Sequence, residues 1–166
     1  MMRKLSLPLL LPLLLTLTLA ACSPKYDWRD YRSQDAPYAV LFPGKPATQA
    51  RSIKLGQMDV NMSMTGADID GVIFAIGSAQ LADAAQAPAA LAAMQTAMVN
   101  NIGGAVTGSK LLADGAKEID ASGNNMRLIA RFSSKDRRVY QVVVIGAPQK
   151  IDAETVEMFF SSFKLL

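Results

Sequence analysis

Alternation of apolar and polar residues predicts most of the strands in this chain. In the clearest run, 58–65, apolar side chains at every second position alternate with Asp, Asn, Ser and Thr. Such strict alternation is typical of an antiparallel strand with one buried face. Further apolar runs predict strands at 37–43, 49–55, 72–79, 106–112, 117–121, 126–133 and 139–145. Gly, Pro, Asn, Asp and Ser predict turns at 43–46, 56–57, 67–71, 122–125 and 134–137.

Two of these runs are apolar on most positions, and one of them, 72–79, is predicted to be a central strand. Residues 72–79 carry no charged side chain, as expected for a central strand. Residues 139–145 are apolar on most positions, with Gln141 as the exception.

Apolar residues at helical spacing predict two helices. The first, 87–102, has an apolar stripe at Leu91, Met94, Met98 and Ile102. Glycines at 103 and 104 are expected to end it. The second, 153–163, follows Asp152 as its N-cap and is expected to bury Val156, Phe159, Phe160 and Phe163. The elements therefore follow in the order strands, helix, strands, helix, and hairpin-length turns join the strands. This order predicts an α+β fold with an antiparallel sheet of about six or seven strands and two packed helices.

The first 21 residues have the three parts of a secretory signal peptide. Arg3 and Lys4 give a positive start, 5–19 is apolar, and small residues follow. The apolar run is shorter than the ~20 residues that a helix needs to cross a bilayer. Pro8 and Pro12 interrupt it further. A cleaved signal is therefore favoured over a permanent membrane span.

The signal ends in Leu19-Ala20-Ala21-Cys22, which contains the single cysteine of the chain. This stretch resembles the lipobox of bacterial lipoproteins. The resemblance implies that the Cys22 thiol is alkylated with diacylglycerol, that the chain is cut before it, and that the new amine is acylated. Several acyl chains, such as palmitate, then anchor the protein stably. Ser23 follows where aspartate would favour the inner membrane, so the resemblance implies an outer-membrane lipoprotein whose domain faces the periplasm.

The size, charge and composition of the mature chain exclude several classes of partner and of catalytic site. Removing the signal leaves 145 residues, enough for one domain with its own core, and lowers the formal net charge from +3 to +1. A nearly neutral domain gives no electrostatic reason to expect nucleic acid as a partner. The chain has no histidine. It therefore lacks Ser-His or Cys-His nucleophiles and the usual base near neutral pH.

Residues 22–35 connect the anchor to a single domain at 36–166. They are polar with interleaved aromatics, so they form either a tether or a short strand at the domain edge. Trp28 and Tyr31 either touch lipid headgroups or pack on the domain, and packing is the favoured interpretation.

Both ends of the domain are similar to those of many small secreted bacterial domains. Val40-Leu41-Phe42-Pro43-Gly44-Lys45-Pro46 resembles a strand followed by an FPxKP turn, and Phe159-Phe160-Ser161-Ser162-Phe163-Lys164-Leu165 resembles an FxxSF+L ending. With the order of elements between them, the chain resembles uncharacterised proteobacterial lipoproteins with a PsbP-like α/β sandwich. Both motifs are structural, so the resemblance assigns no catalytic residue.

Met58, Met62 and Met64 are the one weak candidate for a metal site. Thioethers are soft ligands that suit Cu(I). All three also share one strand face, where methionine commonly fills a core, and core packing is the favoured interpretation.

Other polar groups have simpler explanations. A polar turn explains 68–71, which lacks the later ligands of a Ca²⁺ loop. Solvated charge explains the basic hairpin tip at 135–138. Exposed strand charge explains Lys110, Lys117, Glu118 and Asp120.

The sequence therefore predicts a lipid-anchored, non-catalytic interaction or accessory module of the cell envelope, with a possible protein partner there. It predicts no cofactor apart from the lipid on Cys22. The alternative is a periplasmic protein that binds a small ligand or Cu(I) in a cleft between the sheet and the first helix. A third hypothesis, a hydrolase that uses paired carboxylates, would need an Asp or Glu of raised pKa in a cleft.

Overall fold

The computed structural model of the chain describes residues 24–166, so the predicted signal peptide, the lipobox with Cys22, and Ser23 lie outside the described residues. Ten strands and two helices follow in the order β1 (Arg29–Arg32), β2 (Tyr38–Phe42), β3 (Ala47–Leu55), β4 (Met58–Ile69), β5 (Val72–Gln80), α1 (Ala87–Asn101), β6 (Ala105–Leu111), β7 (Lys117–Gly123), β8 (Met126–Lys135), β9 (Arg138–Gly146), α2 (Ala153–Ser162) and β10 (Lys164–Leu165). Single 3₁₀ turns at Ala84–Gln86 and Pro148–Lys150 precede the helices.

The main sheet has seven strands in the order β3-β4-β5-β9-β8-β7-β6, and every neighbouring pair is antiparallel. A second sheet, β1-β2-β10, has three antiparallel strands. The predicted α+β class, with its antiparallel sheet and two helices, is confirmed. The run that is apolar on both faces, β5, lies inside the sheet between β4 and β9.

Three hairpins turn more tightly than the sequence predicts. β4 continues to Ile69, although a turn was expected from 67, because Ala67 is buried and stays paired with Phe74. The connection to β5 then needs only Asp70 and Gly71, both with positive φ. β7 and β8 likewise extend into the turns expected at 122–125 and 134–137. Asn124 and Asn125, between β7 and β8, both have positive φ, as a tight two-residue turn requires, whereas between β8 and β9 only Asp136 does.

The seven-stranded sheet is the middle layer between two hydrophobic cores. One face of the sheet packs against α1, through residues such as Met62, Met94, Ile119 and Val143. The other face packs against the small sheet and α2, through residues such as Phe42, Phe74, Tyr140 and Phe159. None of the helices within residues 24–166 is long and apolar enough to span a membrane.

The chain enters the domain through β1, which pairs with β2 along its whole length. Trp28 and Tyr31 are partly buried and pack against the core under the small sheet. The Tyr31 hydroxyl also lies 3.2 Å from the hydroxyl of Thr48. The later part of the connecting segment 22–35 is therefore a strand at the edge of the domain.

Candidate binding cleft between the first helix and the main sheet

A half-open cavity of about 430 Å³ lies between α1 and the β3–β4 side of the main sheet. The helix packs chiefly over β8 and β9 and makes few contacts with β3, so it leaves this side of the sheet partly uncovered. We call this cavity the methionine cleft, because four of its lining residues are Met62, Met64, Met94 and Met98. Its other walls are formed by Gln49, Arg51, Ile53, Leu55, Ala97, Asn101 and Gln141.

Two periodicities bring the four methionines together. Met62 and Met64 point to the same side of β4, because alternate residues of a strand share a face. Met94 and Met98 are one turn apart on α1 and share a helix face. Met62 and Met94 are nearly fully buried, whereas Met64 and Met98 are half-buried. Met64 and Met98 are therefore the members that solvent reaches.

Gln141 is the polar group at the inner wall of the cleft. It lies on β9 and is only 3% exposed. Its amide nitrogen Nε2 lies 3.6 Å from Sδ of Met64 and 3.7 Å from Sδ of Met98. A thioether sulfur is a weak acceptor, so this buried amide has poorer partners than an oxygen would provide.

Gly77, directly opposite Gln141 on β5, keeps this wall open. A Cβ atom at this position would lie 2.7 Å from Cγ of Gln141, from Cε of Met62 and from Sδ of Met64. Any larger residue would therefore push these three side chains into the cavity. The absence of a side chain at 77 provides the space in which the methionines meet.

Only two of the three methionines that the sequence named as weak metal ligands lie in the cleft. Met62 and Met64 line it, while Met58 packs against the same core without lining the cavity. Met94 and Met98, which the sequence indicated only as part of a helical stripe, complete it. The exceptional Gln141 was the signal available in the sequence, because a polar residue inside a central strand often marks a site.

The charged residues that the sequence explained as exposed strand charge include Glu118 and Asp120, which lie on the opposite face of the sheet. Glu118 accepts from Nε of Arg131 at 2.6 Å and from Nζ of Lys110 at 2.8 Å. Asp120 is held by the Arg127 guanidinium. Lys117 is on the other side of β7, beside α1. Lys110, Glu118 and Asp120 therefore line one shallow pocket, where they belong to two separate sets of ion pairs, and Lys117 lies away from it.

Burial raises the pKa of the Glu118 carboxyl, but hydrogen bonds and charge attraction from Lys110 and Arg131 outweigh it, so the pKa lies below its ordinary value. This direction is opposite to the raised pKa that a general acid needs near neutral pH. A carboxyl whose pKa falls on folding stabilises the fold above its unfolded pKa, and this stabilisation is lost as the pH falls through the folded value.

Glu118→Gln should therefore lower the free energy of unfolding at neutral pH by on the order of 1 kcal/mol, because it removes a charged acceptor from two cations. The difference from the native chain should shrink in acid, where the native carboxyl is protonated. Urea unfolding of both chains, from neutral pH into acid, measures this difference in the free energy of unfolding. Asp59→Asn, which removes an exposed pair with Lys54, is the control and should have a much smaller effect. A Glu118→Gln effect that stays constant into acid would contradict the assignment.

The remaining polar groups behave as local structure. The backbone N–H of Gly71 donates to Oδ1 of Asp68 at 2.8 Å, which closes the polar turn at 68–71. At the 135–138 hairpin, Nζ of Lys135 donates to the backbone oxygen of Leu166. Among residues 24–166, no three His, Cys, Asp or Glu side chains gather as metal ligands.

Comparison with other proteins adds no relative to this description. No protein-family model and no curated protein matches the chain.

Proposed function

We propose that the mature protein is a lipoprotein of the bacterial outer membrane, anchored through acyl chains on Cys22, with its domain facing the periplasm. It acts there as a non-catalytic interaction or accessory module of the cell envelope. The observation that carries the proposal is the lipobox Leu19-Ala20-Ala21-Cys22 at the end of a short apolar run. The resemblance to PsbP-like lipoproteins also supports it.

A short connection would keep such a domain close to the membrane. The backbone N–H of Asp27, which is five residues after Cys22, donates to the Pro43 carbonyl at 3.0 Å and so fixes Asp27 to the domain. An extended chain spans at most ~3.3–3.6 Å per residue, which limits this link to about 17 Å. The domain end that carries the 43–46 and 69–71 turns would then face the bilayer, with the 135–138 hairpin at the far end.

Cys22→Ala should leave the protein as an unlipidated precursor, because the modified thiol and the cleavage position are both lost. Mass spectrometry and membrane fractionation measure the two effects. Ser23→Asp is the matched control: it should still be lipidated and cleaved, but should stay in the inner membrane. A Cys22→Ala protein that matures to the native mass and fractionates with the outer membrane would refute the anchor.

The methionine cleft favours a second candidate function, the binding of a small ligand or of Cu(I). Ligand sites are typically concave and largely apolar, with a few polar groups that fix orientation. The cleft has such walls, a volume of about 430 Å³ and one buried amide, on Gln141. Its occupant would enter past the half-buried Met64 and Met98.

A further inference from the structure

We propose that the methionine cleft is a Cu(I) site, in which the thioether sulfurs of Met62, Met64 and Met98 bind the ion and Met94 lies behind them. The proposal rests on the second candidate function, because it names the occupant of the same cleft. The site is formed by residues of the described domain, and the lipid anchor is proposed from a different observation, the lipobox.

Two of the sulfur atoms, those of Met64 and Met98, lie close to one polar group. Sδ of Met64 and Sδ of Met98 both lie within 3.7 Å of the same nitrogen of Gln141, although they belong to different elements. An amide N–H is a partly positive group, and here it lies against sulfur lone pairs. A soft cation would interact with the same lone pairs much more strongly, with the Gln141 amide turning aside. Thioethers are soft ligands, and among monovalent biological ions they suit Cu(I).

A third methionine, Met62, lies beside Met64 on the Gly77 side of the cleft. The end of Met62 and Sδ of Met64 both lie 2.7 Å from the position that a Gly77 Cβ would occupy. The glycine therefore opens a space that three side-chain ends share. Met94, which also lines the cleft and is 1% exposed, gives the helix side of the site a fixed apolar base.

The charges around the cleft suit a soft monovalent ion better than a hard divalent one. Within residues 24–166, no carboxylate lines the cavity. Mg²⁺ and Ca²⁺ need oxygen ligands, which the walls offer only as the amides of Gln49, Asn101 and Gln141. Arg51 is the cation at the rim; it is exposed and donates to Oε1 of Gln49, so solvent screens its charge.

The composition makes the proposal sharply testable. The chain has no histidine and a single cysteine, Cys22, whose sulfur is alkylated in the lipoprotein we propose. Methionine sulfurs are then the soft ligands left to the mature chain. The methionines outside the cleft are Met58, Met126 and Met158, on β4, β8 and α2.

The experiment titrates the mature lipoprotein, purified from membranes in detergent and checked by mass for alkylated Cys22, with Cu(I) against a competing colorimetric chelator. We expect one Cu(I) per chain. Met64→Leu/Met98→Leu should weaken binding by about 100-fold or more, since even the loss of an outer-shell partner of a metal costs about 10–100-fold. Met126→Leu/Met158→Leu, with the same number of thioethers removed, should bind as the native chain does.

A second measurement needs no variant. With ¹³C-methyl methionine, Ag(I) added as a redox-inert substitute for Cu(I) should shift the methyl resonances of Met62, Met64 and Met98 and leave that of Met158 unchanged. The proposal is overturned if the native chain takes up no Cu(I) in competition, if both double variants bind equally, or if Ag(I) shifts Met158 as much as the cleft methionines.

Further measurements on the same purified protein distinguish failure of the Cu(I) proposal from failure of the ligand-binding function on which it rests. A negative Cu(I) titration would refute the metal site alone. The cleft would still be a ligand site if small apolar molecules raise the Tm of the native chain and do not raise that of a Gly77→Val chain, whose cleft is filled. The anchor is judged separately, by the mass and membrane fraction of Cys22→Ala.

Discussion

Phe159→Ala should lower the free energy of unfolding by about 3–5 kcal/mol, the usual cost of truncating a fully buried aromatic side chain. Phe159 has no exposed surface. Its ring lies 5.5 Å from that of Phe42 in the small sheet and 5.4 Å from that of Phe74 in the main sheet, measured between centroids. One side chain of α2 thus joins both sheets. Small domains are stable by only about 5–15 kcal/mol, so the loss is a large part of the total.

Urea unfolding, followed by the fluorescence of the single tryptophan, measures the change. Trp28 packs against the same core, so its emission reports on this side of the domain. Met158→Ala is the matched control, because Met158 precedes Phe159 on α2 and is 46% exposed. We expect the control to cost much less. A Phe159→Ala loss as small as that of the control would mean that α2 does not hold the two sheets together.

Gly123→Ala should be the second most damaging change, with a loss of about 1–3 kcal/mol or more from overpacking. A Cβ at 123 would lie 2.3 Å from Cα of Gly104 and 2.6 Å from the carbonyl oxygen of Ile102. These are backbone atoms, so no side-chain rotation can relieve the contact. The chain leaving α1 here crosses directly over the end of β7, and both segments need glycine to approach so closely.

Gly108→Ala on the exposed strand β6 is the control for Gly123→Ala. Its added Cβ would meet only Cβ of Asp120, at an ordinary contact distance of 3.8 Å. Thermal unfolding of the two variants measures the difference, and the control should stay close to the native Tm. Equal Tm values for the two variants would show that the contact between the α1–β6 connection and β7 is not tight in solution.

Local patterns predicted the helices and strands well, because apolar residues repeat with a different spacing along a helix than along a strand. The alternation around Met62 identified β4, and the spacing of Met94 and Met98 identified α1. The extent of β4 was missed at Ala67, whose burial depends on pairing with Phe74 rather than on its neighbours in sequence. The short strand β10 was also missed, since two residues carry no period and form a strand only by pairing with β2.

The cleft could be predicted only in part, for a related reason. The sequence indicated a cleft beside the first helix only as the alternative function, and of its weak metal candidates Met58, Met62 and Met64, the last two line the cleft described here. It could not tell that α1 packs mainly over β8 and β9, leaving the β3–β4 side open, because that position follows from contacts distant in sequence. The role of Gly77 was equally hidden: it depends on which strand pairs with β5 opposite it.

The pairing of β1 with β2 has a mechanical consequence for a protein held at its amino-terminal end. The two strands are antiparallel, with Arg29 opposite Phe42 and Arg32 opposite Ala39. A pull on the chain before Arg29, directed away from the domain, runs along the axis of β1. Such a force loads the hydrogen bonds of the β1–β2 ladder together, in shear, instead of opening them one by one. In the lipoprotein that we propose, this short strand would therefore resist tension between the membrane and anything that binds the domain.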